Sequence, residues 1–166
     1  MPSWHPFYVG LEVESSSDRR SAQPIVIALC ALAIILALVA GVGGATGLVW
    51  RHVIQTLPFW VAIGLGFRRS SFTGWIALPC FIFWLAIMIL IWLYLLGIAR
   101  ILTGHFKPIE IVMTMIVGIA SLVGIVSFLR FKSRVRPWLA IVFFLLFAAV
   151  QWGCFLLSVT PRFANK

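Results

Sequence analysis

The sequence predicts an all-α integral membrane protein: a bundle of four long transmembrane helices plus one short apolar segment at 53–67. Three observations carry this prediction. The 166-residue chain is 63% hydrophobic and only 10% charged, against about 45–50% and about 25% in soluble domains. Its mean hydropathy is +1.11, and a domain of this size leaves too much surface in water to hide that many apolar side chains. The apolar residues also fall in uncharged runs of about 20 or more, the length a helix needs to cross a hydrocarbon core of about 30 Å. Lipid offers no partner for an open backbone, and no run alternates like a barrel strand, so each run is expected to be a helix.

Residues 1–24 form a polar and aromatic tail. SSSDRRSAQP has the composition of a flexible link, while MPSWHPFYVGLEV interleaves aromatic and polar residues, as a disordered, surface-lying or partner-binding stretch does. Glu12, Glu14 and Asp18 precede a long apolar run, so a retained anchor is expected here and not a cleaved signal. A single transmembrane domain is expected over 25–160, with spans near 25–50, 75–99, 109–129 and 138–159, followed by a short tail at 161–166. Trp50, Trp75 and Trp138 stand at run ends, where amphipathic rings favour the headgroup level. Pro108 and Pro137 precede the last two runs at positions suited to a first helical turn. The stretch at 53–67, VIQTLPFWVAIGLGF, would be only about 22 Å long as a helix. It carries Gln55, Pro58, Gly64 and Gly66 between Arg51–His52 and Arg68–Arg69. It is expected to be a fifth span or a re-entrant or interfacial helix.

Thirteen Lys and Arg against four acids give a net charge of +9. These residues cluster at the ends of apolar runs, as in cytoplasmic loops, and form no basic face interleaved with aromatics, so no nucleic-acid partner is expected. Five spans with the N-terminus inside place Arg19, Arg20, Arg68, Arg69, Arg130, Lys132, Arg134 and Arg136 inside. Arg51, Lys107, Arg162, Lys166 and Arg100 then lie outside. Four spans with the N-terminus outside divide the same charges almost evenly. Charge favours five spans and the length of 53–67 favours four. Both arrangements keep loops 68–74 and 130–136 cytoplasmic and the C-terminus outside. Compactness and a retained anchor point to a bacterial inner membrane.

Ionisable residues at membrane depth are the usual pointers to transport or catalysis, and they are scarce here. The candidate polar site is Arg100, His105, Lys107 and Glu110, in the connection before the third long span. Glu110 and Arg100 could form a partly desolvated pair beside His105, which titrates near neutral pH. The simpler reading makes Glu110 a carboxylate at a helix start and Arg100 a snorkelling residue at a helix end. No metal or cofactor is expected. His5, His52 and His105 lie outside the deep spans, and Cys30, Cys80 and Cys154 are isolated in apolar runs, as small buried side chains are. The run GVGGATG lacks the Lys-Ser/Thr of a phosphate loop and lies within an apolar helix. Its better reading is packing: Gly43/Gly47, Ala120/Gly124 and Ala149/Gly153 are small residues four apart, which let helices approach closely in lipid. Aromatic residues Phe81, Phe83, Trp84, Trp92 and Tyr94 crowd the second long span and are expected mainly to contact lipid.

No catalytic constellation is present, so an enzyme is not expected. The expected function is a small non-catalytic multi-span protein, an accessory, assembly or scaffolding component of a larger membrane complex. Its partners would be the lipid bilayer and other membrane subunits or itself. The alternative is a small oligomeric transporter or channel with a polar site around Arg100, His105 and Glu110, which would require Gln151 and Thr114 to line a path instead of facing lipid.

Overall fold

The computed structural model describes residues 22–98, 107–131, 133 and 135–160. The tails expected at 1–24 and 161–166, apart from residues 22–24, lie outside the described residues, as do Arg100 and His105. The described residues form five helices and no strand: α1 (Ala22–Thr46), α2 (Val49–Phe67), α3 (Thr73–Leu95), α4 (Pro108–Arg130) and α5 (Pro137–Ser158). Helices α1, α3, α4 and α5 are each long and apolar enough to cross a membrane.

The first boundary differs from expectation. The uncharged run at 25–50 is broken at Gly47, whose φ of 75° is left-handed and open to glycine at little cost. Val49 and Trp50 therefore open α2, with Arg51 and His52 in its first turns. The short segment thus lengthens to 19 residues, about 28 Å of helix. Gly47 serves this turn and not a packing face, since a Cβ added there would meet nothing within 4 Å.

Close contacts fix the course of each helix. Gly43 approaches the Val49 backbone and the His52 ring, while at the opposite end Gly66 lies against the Pro24 carbonyl and Ala28. Helix α2 therefore runs antiparallel along nearly all of α1. Next, α3 returns antiparallel to α2, with Phe59 and Phe81 meeting at 5.5 Å between ring centroids. Helix α4 lies antiparallel to α3, Phe128 covering Gly74 and Phe81 seated on Gly124. It also lies against α1, where Met113 covers Gly41. Finally, α5 packs on α2 and α3, with Phe143 against Phe72 and Phe155 against Phe83.

The course alternates up and down, so the 68–72 and 131–136 connections share one end, where the Ser133 hydroxyl donates to the Ser71 carbonyl at 3.2 Å. Ile27, Ile34, Phe59, Phe81, Ala77 and Val117 form a closed apolar core. Outside it, α2 exposes Leu57, Trp60, Val61 and Phe67. Only 11% of the most apolar window of α5 is buried. This apolar exterior agrees with insertion in lipid. It also corrects the aromatic reading of α3: Phe81 and Trp84 are buried, and Phe83 stacks on Trp152 and Phe155 of α5.

Candidate functional site

A group of polar side chains from α2, α4 and α5 gathers at the end of the bundle opposite the 68–72 connection. A cavity of about 280 Å³ lies there, lined by all five helices. Leu38 and Val42 line it from a π-helical stretch of α1, Ala37–Gly43. Irregular turns of this kind recur at functional sites. Arg51, His52 and Gln55 contribute from α2, Glu110 and Thr114 from the start of α4. Trp84, Ile87, Met88 and Phe155 supply its apolar wall.

Beside the cavity, a chain of polar groups ties α2 to α5. The His52 imidazole donates through Nδ1 to Gln55 Oε1 at 3.0 Å, because a carbonyl oxygen can only accept. Gln55 Nε2 donates to Ser158 Oγ at 2.8 Å, and Ser158 donates to the Phe155 carbonyl at 2.6 Å. Gln151 Nε2 donates to the Gln55 backbone oxygen at 3.1 Å. Gln55 is only 2% exposed and Gln151 is fully buried, so these bonds are made where water cannot replace them. Pro58, three residues beyond Gln55, lacks the N–H an ordinary helix turn needs. The carbonyl that Pro58 leaves without its helix donor is that of Ile54, one residue before the Gln55 carbonyl that Gln151 bonds. Three buried donors or acceptors near this end remain unpaired: Arg51 Nε, Trp84 Nε1 and Gln151 Oε1.

Of the expected site, Lys107 and Glu110 are described. The Glu110 carboxylate accepts the Lys107 backbone N–H at 3.0 Å, as a helix-start carboxylate does. Lys107 Nζ donates to the Ala45 carbonyl at 3.0 Å and ties α4 to the end of α1. Glu110 in addition lines the cavity, with Arg51 and His52, two residues outside the expected set. His52 and Gln55 are three apart, hence on one face of a helix, a signal present in the sequence. Their partners on α5 are 96 and 103 positions from Gln55 and carried no such signal.

The packing residues divide. Gly43, Ala120 and Gly124 are buried between helices. Ala149 and Gly153 are exposed on α5, where a Cβ on Gly153 would meet nothing within 4 Å. Gln151 and Thr114 both face protein and not lipid. Among the described residues, no three His, Cys, Asp or Glu side chains converge. No family model, curated protein or solved structure matches this chain.

Proposed function

We propose that this chain is a small, non-catalytic multi-span protein of a bacterial inner membrane, acting as an accessory, assembly or scaffolding component of a larger membrane complex. Helix α2 acts as a fifth crossing, with the 68–72 and 131–136 connections cytoplasmic and the C-terminus outside. The observation that supports the assembly role best is the outward face of α5. It is largely free of its own bundle, and Ala149 and Gly153 lie in it, so another helix can approach closely. The closed apolar core argues against conduction through one copy. Extraction in mild detergent followed by native mass analysis and proteomics tests this role. A stoichiometric membrane partner, lost in Gly153→Leu while the chain still accumulates, is the expected result. A homo-oligomer without a partner contradicts it.

The second reading, a small oligomeric transporter or channel, is favoured by one observation: Glu110 lines a cavity at the bundle end. It requires flux in proteoliposomes that Glu110→Gln abolishes at unchanged protein level.

A further inference from the structure

We propose that the outer seam between α1 and α4 holds one phospholipid, with a net-anionic headgroup at Arg130 and an acyl chain along the seam. Helix α5 packs on α2 and α3 and leaves this seam uncovered. A groove of about 380 Å³ lies there, between Val26, Leu29 and Cys30 of α1 and Ile119, Ala120 and Val123 of α4. It shares Ala33 and Ile116 with a second groove, of about 710 Å³, that follows the same two helices to Gly44 and Ala45. From Val26 to Ala45 the trough is about 28 Å long, close to the thickness of a hydrocarbon core.

Its shape suits a chain better than a helix. The floor is small and buried, at Cys30 and Ala120, while the rim is branched and exposed, at Leu29, Ile119 and Val123. Close approach of a partner helix needs small residues at the rim, as Ala149 and Gly153 supply on α5. Here the rim holds a second backbone off, and a hydrocarbon chain can lie between its sides. Charge marks the end for the headgroup. Ile116, Val123 and Arg130 stand seven apart, hence on one face of α4. The seam therefore runs out at an exposed arginine. Arg68, Arg69 and Arg136 are exposed at the same end, where Ser133 meets Ser71. Glu110 is the only acid among the described residues and stands at the opposite end. Arginine bonds phosphate through two N–H groups. With no described carboxylate at this end to hold the ammonium of a zwitterionic head, the cluster favours a head of net negative charge.

The test titrates the full chain in mild detergent with phosphatidylglycerol, and separately with phosphatidylcholine of the same acyl chains. Native mass spectrometry counts the lipids retained. One phosphatidylglycerol per chain is expected to bind about fivefold tighter than phosphatidylcholine. Arg130→Gln should remove that preference. Arg136→Gln takes the same charge from the start of α5, away from the seam, and should leave the preference within about twofold. Ala33→Phe fills the groove and Leu29→Ala removes one side of it. Each leaves the charge unaltered and should lower retention of both lipids at least about threefold. Equal affinity for the two lipids, equal losses in Arg130→Gln and Arg136→Gln, or full retention in both groove variants overturns the proposal. Lipid retention and partner co-purification are separate readouts, so this inference and the assembly role can fail independently.

Discussion

Arg69 holds a position that most helices give to glycine. Its φ is 52°, and it follows α2 in a termination where Ser70 N–H reaches Leu65 O and Arg69 N–H reaches Gly66 O, both at 2.9 Å. Helix α3 ends in the same pattern around Gly97 at φ 73°, with Ile98 N–H on Leu93 O. The arginine carries the steric cost of a left-handed Cβ, so Arg69→Gly should raise stability by about 1 kcal/mol. Unfolding midpoints in detergent check this, and a lower midpoint would contradict it. Two further glycines separate buried from exposed packing. A Cβ on Gly124 would lie 2.5 Å from the Phe81 ring, which is fully buried and must shift. Gly124→Ala should therefore cost about 1–3 kcal/mol, whereas Gly153→Ala should be neutral or stabilising by up to about 1 kcal/mol. Equal effects at the two sites would contradict this placement. Both glycines look alike in sequence, since small-residue spacing marks a close-approach face without saying which neighbour fills it. The left-handed Arg69 carried no signal at all.

Helix α2 shows where sequence reading succeeds and where it stops. The four long helices were legible from run length, because lipid demands about 20 apolar residues per crossing and these runs supply them. The start of α2 was not legible, because its turn at Gly47–Leu48 lies inside an uncharged run and Trp50 resembles a run-end anchor. The polar chain across α2 and α5 was legible only in its local half, His52 and Gln55. Gln55 and Ser158 come together through tertiary packing over 103 positions, at 2.8 Å. A double-mutant cycle of Gln55→Ala and Ser158→Ala should give a coupling energy of about 0.6 kcal/mol, the average for such bonds in membrane bundles, and no more than about 1.7 kcal/mol. Strict additivity would contradict the bond. For the candidate site, Lys107 and Glu110 stand out in the sequence as scarce ionisable residues beside a long apolar run, whereas the cavity that Glu110 lines also takes Arg51 and His52 from a helix whose course the sequence left undecided.

At the scale of the molecule, five alternating helices give the bundle two chemically different ends. Arg68, Arg69, Arg130 and Arg136 stand at or beside the end where Ser133 meets Ser71. Arg51, His52, Lys107 and Glu110 stand at the end that holds the cavity. The proposed topology puts the denser basic end in the cytoplasm and the cavity on the opposite side of the membrane. That assignment depends on α2 crossing the bilayer. The apolar face that α2 exposes and its antiparallel course along α1 both support the crossing. The direct measurement is cysteine labelling with a membrane-impermeant maleimide on sealed, right-side-out cells. Cys30, Cys80 and Cys154 are replaced by alanine, and single cysteines are placed at Leu48 and Ser70, the two ends of α2. The account predicts that Leu48→Cys reacts from outside and that Ser70→Cys reacts only after the cells are opened. Labelling of both positions from the same side would show that α2 does not cross, and would contradict both the five-helix topology and the outward-facing cavity.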